Sequence, residues 1–168
     1  MRFIPVVLTS VTLMGCLAAD ERDALSRFVG TWKGTGTSEE TPYSHKSSQD
    51  GTTVCQWSSM QAFLVCDQEH TAPGGRARDL SVYTYDASSH KYHFFNLGQD
   101  GHHTTIGLLV RKDEVIYQSE PEEGGMKTVF RTVNKWESPD RYTYRAEFST
   151  DDGKHWTTMA SGVSVRVK

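Results

Sequence analysis

From Gly30 onward the chain repeats one device: a short run in which apolar and polar residues alternate, then a cluster of turn formers. Residues 141–148 show it most cleanly. Tyr142, Tyr144, Ala146 and Phe148 fall on one face, and Arg141, Thr143, Arg145 and Glu147 on the other, the period of two of a half-buried strand. The final run reads the same way, with Val163, Val165 and Val167 inward and Ser164, Arg166 and Lys168 outward. Further strands are predicted over 80–85, 91–97, 104–110, 114–119 and 128–136. Between the runs stand Asp86-Ala87-Ser88-Ser89, Asp100-Gly101, Lys112-Asp113, Glu123-Gly124-Gly125, Ser138-Pro139-Asp140 and Asp151-Asp152-Gly153, all sequences that turn a chain tightly. About ten short strands with close turns imply consecutive antiparallel hairpins. Such a ribbon buries its apolar face by closing into a barrel or stacking as a sandwich. Residues 37–51 are polar and loosely patterned, and are predicted to be the mobile segment.

Ahead of the ribbon, residues 20–28 are helical in pattern: Asp20 can cap, and Ala24, Leu25 and Phe28 share a face. A helix this short persists only if it docks. Residues 1–19 have the features of a secretory signal: Arg2, an apolar run, then Ala18-Ala19. The run is too short for a membrane span. A single domain over 20–168 follows. Leu13-Met14-Gly15-Cys16 resembles a bacterial lipobox, in which the Cys receives lipid. Two routes are open: lipidation of Cys16, the chain's one expected tie to a membrane, or ordinary cleavage that removes Cys16 with the leader. Both place the protein outside the cytoplasm, in the periplasm or on the outer membrane as a lipoprotein.

Export leaves Cys55 and Cys66 as an even pair in an oxidising compartment. Residues 53–66 read as a hairpin. A turn at Met60-Gln61 sets Cys55 opposite Cys66 and Trp57 opposite Leu64, within disulfide reach. A Cys55–Cys66 bridge is predicted.

Candidate chemistry is sparse. His90 and His93 point to opposite faces of one strand, and His103 is too distant to join either, so no metal site is expected. The acidic clusters Glu39-Glu40, Asp113-Glu114 and Asp151-Asp152 fall in turns, where they keep loops soluble. There is no nucleophile elbow and no phosphate-cradling loop. No catalytic residue is assigned, and no cofactor is expected. The formal net charge is −3, which lacks the basic footprint of a nucleic-acid partner. Ser149-Thr150-Asp151-Asp152-Gly153-Lys154-His155-Trp156 resembles an Asp-box of sialidase-type propellers. In a single copy it implies a structural turn.

Phe28-Val29-Gly30-Thr31-Trp32-Lys33-Gly34 resembles the opening strand of calycin barrels, the lipocalin and nitrobindin group. In those folds a short helix closes one barrel end, and the Trp packs against a basic residue near the C-terminus. Arg166 fits that role for Trp32, with Arg145 as its competitor. Tyr83-Thr84-Tyr85-Asp86, Tyr92, and the closing hairpin from Asp152-Gly153-Lys154 to Arg166 resemble a bacterial lipocalin-like family of unknown function, domain-of-unknown-function family 1579. The resemblance implies an all-β, up-and-down barrel with a short N-terminal helix. Nitrobindins hold haem through a His on a late strand. Here residues 157–168 contain none, Met159 stands near the comparable place, and His155 lies in the preceding turn.

The expected function is non-catalytic binding of a small apolar or amphipathic ligand inside the barrel. Trp57, Tyr85, Tyr92, Phe94, Tyr142, Tyr144 and Phe148 are the candidate wall. The alternatives are an envelope-anchored structural lipoprotein and, further off, a haem-binding nitrobindin-like protein.

Overall fold

A computed structural model describes residues 21–72, 75–119 and 128–168. The expected signal segment with Cys16, the cap at Asp20 and the turn at Glu123-Gly124-Gly125 lie outside the described residues. Ten strands form one closed antiparallel barrel. They are β1 (Gly30–Ser38), β2 (Ser47–Trp57), β3 (Phe63–Ala72), β4 (Gly75–Asp86), β5 (Lys91–Gly98), β6 (His103–Val110), β7 (Glu114–Gln118), β8 (Val129–Ser138), β9 (Arg141–Ser149) and β10 (Thr157–Val167). Each pairs with its neighbours in sequence, and β10 closes onto β1 from Thr31↔Val167 to Ser38↔Ala160. Closure removes the sheet edges that an open meander would expose.

The helical stretch spans residues 21–28 and tightens into a 3₁₀ turn over Ala24–Phe28. Leu25 and Phe28 are buried. They enter the barrel end formed by the start of β1, the end of β2 and the start of β3, and pack with Leu64, Tyr83, Phe94, Val115 and the cysteine pair. Docking therefore supplies the stability that the short helix lacks alone. Trp57 helps to hold it, its indole N–H donating to Ser26 Oγ at 3.1 Å.

The β2–β3 hairpin has the expected register, Cys55↔Cys66 and Trp57↔Leu64, and a disulfide joins the two cysteines. Its loop is longer than the two-residue turn of the sequence reading. Ser58 N–H donates to Phe63 C=O at 2.8 Å, and Gln61 takes a positive φ of 54° near the tip.

Two expectations are corrected. In β10 the orientation is inverted: Ser164 is buried, while Val165 and Val167 are exposed. Pairing of Trp32 with Arg166 and of Tyr142 with Ser164 forces this, because a one-residue slip would turn the aromatic face of β9 outward. Residues 37–51 are ordered at both ends as strand, with a loop between them. Residues 37–38 end β1 and 47–51 begin β2, paired from Gly34↔Gly51 to Ser38↔Ser47. Their inward positions are small or polar, so apolar alternation disappears although the ladder continues. The intervening loop is pinned by Ser38 Oγ donating to His45 C=O at 2.6 Å and by a Thr41–Ser44 bridge.

The 149–156 segment is a self-bonded turn. Asp151 accepts from His155 N–H at 2.9 Å, Ser149 Oγ accepts from Gly153 N–H at 2.9 Å, and Trp156 Nε1 donates to Gly153 C=O at 2.9 Å. The His155 N–H, the His155 ring and the Ser149 hydroxyl, all bonded to the Asp151 carboxyl, hold it well below the usual carboxylate range.

Candidate functional site: the barrel cavity

The barrel interior changes character along its axis. At the helix end it is filled with rings. Phe28 stacks on Tyr83 at 5.1 Å and meets Trp136 edge-on at 4.9 Å, and Trp136 lies 4.8 Å from Tyr142. Trp32 donates its indole N–H to Phe28 C=O at 2.7 Å. Arg166 lies over the Trp32 ring with Cζ 4.3 Å from its centre. Its guanidinium also donates to Asp140 Oδ1 at 3.0 Å and to the Arg27 and Pro139 carbonyls. Arg145 faces outward instead, 2.6 Å from Glu147.

Beyond this packed layer the barrel holds a cavity of about 410 Å³. Phe28, Trp32, Tyr83, Phe94, Ile106, Tyr117 and Tyr142 form its floor. They alternate inward in paired rows, such as Tyr83↔Phe94↔Ile106 across β4, β5 and β6. Thr53, Gln68, Thr132, Asn134, Tyr144 and Ser164 line the middle, and Gln49 and His70 the mouth. The mouth opens on the β2–β3 side. Across the β8–β9 side Tyr43 wedges against Phe130 and Phe148, with centres 5.1 and 4.8 Å away.

Part of the polar lining is hydrogen-bonded within the barrel wall. Gln68 Nε2 donates to Ser81 Oγ at 2.5 Å, and the Ser81 hydroxyl in turn donates to Asn96 Oδ1 at 3.0 Å. Tyr144 donates to Gln49 Oε1 at 3.3 Å. The Tyr83 and Tyr117 hydroxyls meet at 3.0 Å. Burial pushes both phenols up, well above the ordinary tyrosine range, and raises Tyr142 and Tyr144 as well. Thr53, Thr132 and Asn134 stand outside these pairings, and Asn134 is the most buried of the three. It is only 8% exposed, it lines the cavity, and its amide has no hydrogen-bond partner among the described residues.

Of the seven candidate wall residues, Phe94, Tyr142 and Tyr144 line the cavity. The other four lie elsewhere. Trp57 packs on the helical plug. Tyr85 and Tyr92 stack on each other at 4.9 Å, with Tyr92 bonded to Glu21 at 2.6 Å. Phe148 is under Tyr43. The sequence reading missed Tyr83, Tyr117, Asn134, Gln68 and Ser164. Counting outward by twos from Cys66 to Gln68, and from Tyr142 across to its partner on β10, was the available signal.

Among the described residues no three His, Cys, Asp or Glu side chains converge as a metal site. His155 is outside the barrel on Asp151, and His70 is the one histidine among the described lining residues, at the mouth beside Asp79 at 3.5 Å.

Solved structures share this fold. Rv2717c from M. tuberculosis superposes with a TM-score of 0.57 at 14% identity, covering 87% of this chain and 96% of that one. The S-type phycobiliprotein lyase CPES from Guillardia theta superposes at 0.58 and 12% identity, covering 92% and 96%. No curated protein matches the chain in sequence. A family model described as "Protein of unknown function (DUF1579)" matches residues 18–166, nearly the whole of the barrel and its plug, and the chain therefore belongs to that family.

Proposed function

We propose that this protein is an exported, non-catalytic carrier or sensor that binds a small amphipathic molecule in the barrel cavity. One observation carries the reading. The cavity joins a floor of aromatic rings to a wall of neutral polar groups, in a volume of about 410 Å³, within the size range of small-molecule sites. A barrel built only to be stable would fill that space, because an unfilled interior forfeits dispersion contacts. The described lining residues carry aromatic rings and neutral polar groups, the make-up of a binding site. Export is supported by the Cys55–Cys66 bridge, a bond typical of oxidising compartments. Attachment through a lipid on Cys16 and residence on the outer membrane extend the same reading.

Native mass spectrometry of the protein purified from its own envelope tests all of this. The expected result is an intact bridge, an N-terminus processed at Cys16 or after Ala18 or Ala19, and a retained small molecule released on denaturation. A protein that keeps its full leader, and that never carries or takes up a small molecule, overturns the reading.

A further inference from the structure

We propose that the cavity selects ligands whose polar group is uncharged, and that Asn134 is the residue that recognises that group. The inference rests on the binding reading above and narrows its ligand class.

Asn134 sits on β8 opposite Tyr144, inside the barrel and 8% exposed. Its side-chain amide has no partner among the described residues, and its polar atoms stay accessible from the cavity it lines, unlike Trp136 Nε1, which is fully buried without a partner. A ligand group that bonds to this amide takes the place of cavity water there, at little cost if it reproduces the same hydrogen bonds. The amide offers both a donor and an acceptor, which suits a hydroxyl, a carbonyl or another amide.

The surrounding charges exclude ionised groups of either sign. No Lys or Arg is among the described lining residues, so a buried carboxylate or phosphate would go uncompensated. Asp50 and Glu69 touch the cavity rim, but their carboxylates turn outward onto Arg76, at 2.5 and 3.1 Å. An ammonium group would therefore find no free carboxylate inside. The aromatic floor takes the apolar end of the ligand, with Tyr83, Phe94 and Tyr117 in mutual contact at 4.9 to 6.2 Å.

A matched naphthyl series measured by isothermal titration calorimetry tests this: naphthylethanol, naphthylacetamide, naphthylacetate, naphthylethylammonium and ethylnaphthalene. The wild-type chain is expected to bind the alcohol and the amide about tenfold more tightly than the carboxylate or the ammonium. Asn134→Leu should weaken alcohol and amide binding about tenfold relative to ethylnaphthalene measured on the same variant, while the carboxylate and the ammonium stay poor ligands for want of a counter-charge. Asn134→Asp should shift the preference toward the ammonium, and it serves as the second arm if the leucine variant does not fold. Equal or tighter binding of the carboxylate overturns the inference, as does an alcohol and amide affinity, relative to ethylnaphthalene, that is unchanged by Asn134→Leu. Failure of all five probes to bind the wild type overturns the binding reading itself, and the selectivity falls with it.

Discussion

Arg166 and Trp32 stand directly opposite each other on β10 and β1, with the guanidinium carbon 4.3 Å from the indole centre. The pair welds the seam where the two ends of the chain meet. Arg166 also donates to the Val29, Arg27 and Pro139 carbonyls and to Asp140, so it ties the helical plug, β1 and the β8–β9 turn into one corner. Arg166→Met should keep the ring covered but leave those acceptors short of a donor. The expected loss is about 2–4 kcal/mol, read as a lower urea midpoint with unchanged slope. Arg166→Lys should recover less than half, because an ammonium cannot present the planar fork. Full recovery by lysine would show that charge alone matters at this corner.

The Cys55–Cys66 bridge closes a short loop across paired strands at the plugged end of the barrel. By the loop-entropy account, reduction should lower stability by about 3 kcal/mol. Thermal unfolding with and without a thiol reductant measures this, and the Cys55→Ala/Cys66→Ala double variant should match the reduced protein and ignore the reductant.

Gly162 faces Gly36 across the seam, and the two glycines make the hollow in which Tyr144 lies. A Cβ at Gly162 would overlap the Thr35 carbonyl and come within 2.6 Å of the Tyr144 ring. Gly162→Ala should destabilise by about 1–3 kcal/mol. Adding Tyr144→Ala relieves the ring overlap but not the backbone one, so the pair should be less than additive. Strict additivity in urea unfolding would show that Tyr144 does not depend on the notch.

Tyr83 and Tyr117 share a buried hydroxyl pair, and burial holds both phenols protonated past their ordinary range. The folded state thus binds these protons more tightly than the unfolded chain does. The associated stability is complete below pH of about 10, the ordinary tyrosine value, and is lost as pH rises above it. Phenolate absorbance should therefore show a late component that appears together with alkaline unfolding. Tyr83→Phe/Tyr117→Phe should remove that component. A late component of undiminished amplitude in that variant would place it on other tyrosines.

Much of this fold is visible in the order of residues alone. β9 was predicted over 141–148 and is observed over Arg141–Ser149, and the 91–97 prediction became Lys91–Gly98. Turn chemistry delimits each hairpin locally: Asp100 and Gly101, for example, bend the β5–β6 link through an Asp100 acceptor and a Gly101 φ of 85°. Hairpin register follows from short-range counting, which is why Cys55 could be matched to Cys66. The candidate site was less legible. Phe94, Tyr142 and Tyr144 alternate like any core residue, and so do Tyr85 and Phe148, which lie outside the cavity.

The sequence by itself determined most of the later strands, their turns and the cross-link, because each depends on residues a few positions apart. It could not determine which face of β10 is wet, nor which rings surround empty space. Those were decided when β10 met β1 and the plug entered one end. Closure sets every inward position relative to all ten strands at once. It turned Ser164 in and Val165 out, and it left Asn134 facing a cavity rather than a neighbour. Such outcomes belong to the geometry of the closed barrel, because the depth of a side chain along its axis is fixed by partners distant in the chain.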